Sequence, residues 1–292
     1  MTKTASLLRV SLAYAAALAM AVLWLCFGPS SGRLWLDALI ADLLATLVIF
    51  GFSRVYRNSS FYDAYWSVVP PLLLFYWWSQ SDGVDGWRAG LVALVVLLWA
   101  VRLTANWAYA WPGLHHEDWR YPLLRERAGR FDVLADLFGI HLIPTIQVFL
   151  GCLPMYVALT RAGRDVGIID VVAVLVGVGA VALETISDLQ MHRFVRERQP
   201  GQVMDRGVWS WSRHPNYFGE LMFWSSLALF GLAAAPGDAW WLFVGVLAML
   251  AMFLGASIPM MEERSLQRRP QYQQVIARVP MLVPRPPRRT QV

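Results

Sequence analysis

Long apolar runs divide this sequence along its length. Because lipid offers the backbone no hydrogen-bond partner, a run of about 20 apolar residues forms a helix that crosses a membrane. A composition that is 57% hydrophobic and only 15% charged excludes a soluble globular protein. The chain therefore predicts one all-α domain over 1–292, a polytopic transmembrane bundle of seven to eight helices, from apolar runs near 7–27, 34–53, 64–80, 89–111, 135–160, 167–192, 217–235 and 239–260.

Basic residues concentrate in alternate connections between these runs. They precede the first run, follow the second at Arg54 and Arg57, and recur in the segments 120–130 and 193–213. By the positive-inside rule, these connections and both chain termini are cytoplasmic. We therefore expect an integral protein of a bacterial inner membrane, in which the lipid bilayer is the partner and no nucleic acid or obligate protein partner is indicated.

The most polar stretch beside an apolar run is 205–224, which reads DRGVWSWSRHPNYFGELMFW. Polar side chains at membrane depth are costly unless they are satisfied, so this stretch predicts a ligand site. Pro215 suits a first helical turn, which places Asn216 and Glu220 on one face toward one ligand. The alternative is an interfacial cap with a tryptophan belt. The candidate binding residues here are Arg213, His214, Asn216, Tyr217 and Glu220.

Two other helices carry polar residues four apart, a spacing that puts them on one face. In the run 89–111, Arg102 and Asn106 indicate an anion or a cavity, unless Arg102 snorkels to the surface. At the end of the run 167–192, Glu184 and Asp188 repel each other unless a ligand or an arginine binds them, and His192 follows on the same face. Both helices are predicted to face a ligand cavity.

The polar connections and the tail supply further candidates. Residues 115–118 read His-His-Glu-Asp, but neighbouring residues cannot all point at one ion, so no metal site is expected. The loop 112–134, which includes Tyr121, offers donors suited to phosphate, or is a solvated loop held by anionic lipid head groups. The candidate binding residues in these segments are Arg120, Arg193, Arg198, Glu263, Arg264 and Tyr272.

A single carboxylate stands at the start of the third apolar run. Asp63 lies just inside that predicted helix, with Tyr62 and Tyr65 beside it. It is either a solvated first-turn acid favoured by the helix dipole or a proton donor whose pKa is raised by burial. The residues alone leave both interpretations open.

The run R-H-P-N-Y-F-G-E at 213–220, followed by E-E-R at 262–264 and a tyrosine-containing stretch ending in V-P, resembles the C-terminal half of the steroid 5-alpha-reductase superfamily. That superfamily includes bacterial proteins of the family of unknown function DUF1295 and is related to the C14-type sterol reductases. The likeness is strongest over residues 180–285. The shared H-P-x-Y-x-G and paired glutamates are also similar to the isoprenylcysteine carboxyl methyltransferases, which use S-adenosylmethionine.

The reductase resemblance implies an enzyme that holds NADPH in a cavity open to the cytoplasm and reduces a carbon–carbon double bond conjugated to a ketone. It implies that Asn216, Glu220 and Asp188 contact the cofactor, whereas Glu184 stands where the family has asparagine. The run 62–70 resembles the context of the family's catalytic glutamate, with Asp63 in its place. Trp99 falls where the family has a catalytic tyrosine, so Tyr62 or Tyr65 is expected to assist the acid.

With Asp63 as the acid, a steroid-like or other lipophilic enone would be the substrate, and arginines such as Arg102, Arg120, Arg193 and Arg213 would bind the cofactor's phosphates. The chain has no G-x-G-x-x-G after a strand, which excludes a Rossmann site. Two alternatives stay open. One is a membrane S-adenosylmethionine-dependent methyltransferase, and the other is a lipid-binding or transport protein without chemistry.

Overall fold

The computed structural model describes residues 2–81, 85–161 and 164–286, and the regular structure of these residues is helical, with no strand. This confirms the predicted all-α bundle. Seven of the described helices are long and apolar enough to cross a membrane, which makes the chain an integral membrane protein. The helices are α1 (Lys3–Phe27), α2 (Leu34–Tyr56), α3 (Tyr65–Ser79), α4 (Gly86–Ala110), α5 (Arg120–Thr160), α6 (Ile168–Glu197), α7 (Pro215–Ala234), α8 (Pro236–Arg268) and α9 (Tyr272–Arg278).

Helix α3 also carries the chain across the bundle, although it has only 15 residues and is about 22 Å long. The ammonium of Lys3 donates to the carbonyl of Tyr109 at 2.9 Å, so the start of α1 and the end of α4 lie at the same end of the bundle. The α1–α2 hairpin returns to this end, and α4 starts at the opposite one. We call the end that holds Lys3 the basic end.

Helix α5 begins at Arg120 rather than near residue 135, and a π-helical stretch, Ala135–Leu142, lies within it. Residues 120–134 are too polar to register as an apolar run, but Arg120 and Arg125 are paired with acids in the fold. Arg125 Nη2 lies 2.5 Å from Glu117 Oε2. The predicted loop 112–134 is therefore wrong in its extent, because only the residues before Arg120 form a loop.

Helices α5, α7 and α8 make close backbone contact at glycines. A Cβ atom built on Gly151 would lie 2.4 Å from the Trp224 ring, and one on Gly245 would lie 2.5 Å from the Gly151 backbone. Small residues at such positions let membrane helices approach closely, where no hydrophobic force drives them together. This packing fixes Trp224, whose indole reaches the polar centre of the bundle.

A buried ion pair joins α4 to α6 at the end opposite the basic end. Arg88 and Asp170 are each 1% exposed, and Arg88 Nε donates to Asp170 Oδ1 at 2.8 Å. The same guanidinium donates to the carbonyls of Arg164 and Asp165 at 2.7 and 2.8 Å. With the further bond from Nη2 to Asp170 Oδ2, four hydrogen bonds from Arg88 order the start of α6 and the residues before it.

We expect Arg88→Met to lower the free energy of unfolding by about 3–5 kcal/mol, because it leaves Asp170 buried without a cation. Thermal unfolding in detergent measures the change. The matched control is Arg33→Met, since Arg33 is exposed and forms no ion pair within the described residues. Equal stability of the two variants would contradict this account.

Candidate functional site

A cavity of about 340 Å³ opens at the basic end. The end of α6, the segment 198–209, the start of α7, the end of α8 and helix α9 surround it. Methionine and valine side chains form its apolar wall, and polar side chains form the remainder. Of the residues predicted to bind a ligand, those that line this cavity are Asp188, Arg198, Arg213, His214, Asn216, Tyr217 and Tyr272.

Glu262 holds the start of α7 in place. Arg213 Nε donates to Glu262 Oε1 at 2.7 Å, and His214 Nε2 lies 3.0 Å from the same oxygen. Arg213 Nη1 also donates to the carbonyls of Ile276 and Val279. These contacts join the R-H-P-N run to α8 and to the C-terminal segment, so Arg213 positions the cavity wall instead of offering a free cation.

Glu263, predicted as a binding residue, does not line the cavity. Its side chain is exposed and lies 3.4 Å from Gln267, whereas the neighbouring Glu262 turns inward. The reason is helical rotation, since adjacent residues on a helix point about 100° apart. The cavity-lining residues Met261, Ser265 and Arg269 recur every four residues, which marks the inner face of α8.

Arg102 is neutralised within the bundle. Its Nη1 atom lies 2.5 Å from Glu184 Oε2, and its Nη2 atom also contacts Asp188. An arginine therefore binds both acids of α6. The sequence had left two possible partners for them, an arginine or a ligand. Because its charge is already balanced, Arg102 is not free to bind a cofactor phosphate as predicted.

Glu220 lies deeper than the cavity and does not line it. The indole of Trp99 donates to its Oε2 at 3.1 Å, and the indole of Trp224 donates to its Oε1 at 2.8 Å. The expectation that Asn216 and Glu220 meet one ligand is therefore wrong for this arrangement, although both lie on α7. Of this pair, only Asn216 faces the cavity.

Three other predicted residues lie outside the cavity lining. Arg193 is exposed and pairs with Glu197 at 3.0 Å, because the cavity-facing positions of α6 are 188, 191 and 195. The His192 ring packs on Tyr109, with the ring centroids 5.4 Å apart. Asn106 is half-buried and makes no side-chain hydrogen bond to a described residue.

Asp63 lies in a turn between a 3₁₀ segment, Ser59–Phe61, and the start of α3. It therefore precedes the helix instead of lying just inside it, as predicted. The hydroxyl of Tyr121 donates to its Oδ1 at 2.5 Å. Burial raises the pKa of Asp63 to about 6, and the charge of Asp118 acts in the same direction, against the hydrogen bonds from Tyr121 and Ser60. The carboxyl group is therefore half-protonated near pH 6.

The expected assistance of Asp63 by Tyr62 or Tyr65 is wrong for these hydroxyls. The Tyr62 hydroxyl lies 2.8 Å from Thr145 Oγ1, and the Tyr65 hydroxyl donates to Asp42 at 3.1 Å. Both side chains point into the bundle, away from the Asp63 carboxyl. The sequence placed Tyr121 among the phosphate donors of a predicted loop, and its contact with Asp63 was missed because it comes from the start of α5.

A polar path joins Asp63 to the cavity. Arg120 Nε donates to Asp118 Oδ1 at 2.8 Å, and the Arg120 guanidinium lies near the Tyr217 side chain. The Tyr217 ring in turn stacks on Phe253 at 4.4 Å and faces the cavity. Arg264 lies beside this path, with its guanidinium 3.9 Å from the Trp119 ring centroid. Arg120 and Arg264 thus border the site without lining the cavity.

Three arginines form a cationic rim on the cavity, which we define as Arg198, Arg268 and Arg269. They line a recess of about 360 Å³ that shares Arg198 and Arg269 with the cavity. None of them pairs with a carboxylate in the described part of the chain. Burial and the two neighbouring guanidinium charges lower the pKa of Arg269, as expected where cations crowd together. The sequence had singled out only Arg198.

Residues 49–279 match the family described as "Protein of unknown function (DUF1295)". The chain belongs to the DUF1295 family. This family is part of the steroid 5-alpha-reductase-like superfamily, so the resemblance noted in the sequence is confirmed. The DUF1295 match begins before Asp63 and ends after Tyr272, and it therefore covers the acid, the cavity and the cationic rim.

An uncharacterized protein of the yeast Schizosaccharomyces pombe is 26% identical over 272 residues, which cover 85% of this DUF1295 chain and 78% of the yeast protein. No solved structure matches the chain. The functional proposal therefore rests on the geometry of this chain.

We expect Glu262→Ala to lower the free energy of unfolding by about 1–3 kcal/mol, because it leaves the partly buried Arg213 and His214 without their shared acceptor. Glu263→Ala is the matched control, and its exposed side chain predicts a change near zero. Chemical or thermal unfolding of both variants in detergent checks the difference. A larger loss in Glu263→Ala would show that the wrong glutamate has been assigned.

Proposed function

We propose that this protein is a membrane NADPH-dependent reductase that saturates the conjugated carbon–carbon double bond of a steroid-like or other lipophilic enone. The observation that carries the proposal is the Asp63–Tyr121 pair. It is a carboxylic acid with a pKa of about 6, held by a phenol and connected by polar residues to a cationic cavity. Membership of the steroid 5-alpha-reductase-like superfamily supports the same reaction class by analogy.

The residues of the cavity suit NADPH chemically. The cationic rim offers three guanidinium groups that pair with no carboxylate of the described residues, and arginine forks match phosphate oxygens. Asn216 and Tyr272 add polar groups on the cavity wall. Burial raises the pKa of Tyr272 to about 12, so its hydroxyl remains a neutral donor at physiological pH. The rim would hold the phosphates, and these two side chains would contact the rest of the cofactor.

The cavity residues would hold NADPH, which would supply a hydride for the β carbon of the enone and so place negative charge on the carbonyl oxygen. Asp63 stabilises this oxygen. Tyr121 donates to Oδ1 of Asp63, so in the protonated acid Oδ2 carries the proton and can donate it to the substrate oxygen. Tyr121 keeps the carboxyl group in one orientation. A proton from water would then add to the α carbon while the enol returns its O–H proton to Asp63, which completes the reduction.

Asp118 and Arg120 stabilise the surroundings of the acid. Burial alone would raise the pKa of Asp118, but the hydrogen bonds and charge of Arg120 hold it below its usual range. Asp118 is therefore ionised whenever Asp63 titrates, and its negative charge favours the protonated form of Asp63. One carboxyl group of the pair stays charged while the other carries the proton.

We expect the reductase rate to be highest below pH about 6 and to fall roughly tenfold per pH unit above it, because the protonated form of Asp63 is lost as pH rises through its pKa. Tyr121→Phe removes a hydrogen bond that lowers this pKa, so the falling limb should move to higher pH. Oxidation of NADPH with a lipophilic enone, followed by absorbance at several pH values, measures both profiles.

Two further variants test the role of Asp63. Tyr109→Phe removes an exposed phenol that makes no hydrogen bond to Asp63 and should leave the wild-type profile unchanged. Asp63→Asn should lower the rate by about 10²–10⁴-fold and abolish the pH dependence. A wild-type rate that does not change between pH 5 and 8, or full activity in Asp63→Asn, would overturn the role of Asp63.

A further inference from the structure

A second recess, of about 240 Å³, opens on the lipid-facing side of the bundle between α1, α2 and α3. It runs from Tyr14 to Leu25 along α1, a length of about 16 Å. Its rim includes Leu18, Val22 and Leu72, which are 43%, 47% and 40% exposed. Alanines of α2 leave the space inside it. We call this recess the lipid groove.

Asp42 lies at the bottom of the lipid groove, near the middle of α2. It is 5% exposed and makes no ion pair with any described residue. The residues that line the groove include no lysine, arginine or histidine. A carboxyl group at membrane depth without a cation is costly, and such residues usually mark a functional site.

The hydrogen bonding of Asp42 leaves one oxygen available. The hydroxyl of Tyr65 donates to Oδ1 at 3.1 Å, whereas Oδ2 has no hydrogen-bond partner in the described part of the chain. An apolar surrounding favours the neutral acid over the carboxylate. The proton then resides on Oδ2, which makes this atom a hydrogen-bond donor facing the groove. The Tyr14 hydroxyl does not compete for it, because it already donates to the carbonyl of Phe61 at 2.9 Å.

We propose that the lipid groove binds a neutral membrane lipid whose carbonyl or hydroxyl oxygen accepts a hydrogen bond from Asp42, with its hydrocarbon chain lying along α1 and α3. The shape and lining fit this occupant. The groove opens to the lipid phase through apolar rim residues, most of its lining is apolar, and Asp42 Oδ2 at its base has no hydrogen-bond partner among the described residues. The site does not depend on NADPH or on the proposed reduction.

The test uses a long-chain methyl ketone that carries a diazirine, photo-crosslinked to the purified protein in lipid nanodiscs. Mass spectrometry of the labelled peptides locates the bound chain. Label is expected on the peptides of α1 and α3 that line the groove. The unlabelled ketone should compete at least about tenfold better than the alkane of the same length, because only the ketone accepts the hydrogen bond.

Four substitutions separate the groove from its acid. Val22→Trp narrows the mouth and should abolish labelling, whereas Leu23→Trp, on a lipid-facing position outside the groove, should not. Asp42→Leu should remove the preference for the ketone, and Asp42→Asn should retain it, because an amide also donates to a carbonyl. A protonated long-chain amine that competes better than the ketone would overturn the neutral-lipid assignment. Equal competition by ketone and alkane in the wild type, or undiminished labelling in Val22→Trp, would overturn it as well.

Discussion

The pairing of Arg102 with Glu184 and Asp188 is the interaction on which the polar centre of this bundle depends. A charge within a membrane is tolerated only where an opposite charge or a set of hydrogen bonds offsets its lost hydration. Arg102 meets this need for two acids of α6, and two indoles meet it for Glu220. Helices α4, α6 and α7 are thereby joined through polar contacts, and α7 presents its first turn to the cavity in a fixed orientation.

The proposed function depends on ionisable groups that take no part in this pairing. The cationic rim has no carboxylate partner in the described residues, and Asp63 accepts a hydrogen bond from a phenol and forms no ion pair in the described residues. Unpaired cations at the mouth of a cavity attract phosphate, and an acid with a raised pKa can deliver a proton near neutral pH. These two departures from charge balance lie on opposite sides of Tyr217 and Arg120. That arrangement suits a reaction between a charged cofactor and a lipophilic substrate.

The sequence predicts the helices and the location of the cavity well, because apolar runs and the R-H-P-N run at 213–216 are local signals. It predicts contacts between distant segments poorly. Spacing identified Glu184 and Asp188 as one stripe, but no pattern indicated that Arg102 would bind both. Likewise, Tyr121 reaches Asp63 from 58 residues away along the chain. The choice between Glu262 and Glu263 required the rotation of α8, which depends on packing rather than on periodicity.

We propose that the cavity holds a nucleotide cofactor through its cationic rim. Ligand-dependent thermal stabilisation of the purified protein measures this binding. A ligand that binds only the folded protein stabilises it, by about 2.7 kcal/mol at 100 times Kd. NADPH should raise the melting temperature of the wild type and of Arg196→Gln, an exposed control, and should raise it much less in Arg269→Gln. Stabilisation by S-adenosylmethionine and not by NADPH, or equal stabilisation of Arg269→Gln by NADPH, would contradict the account.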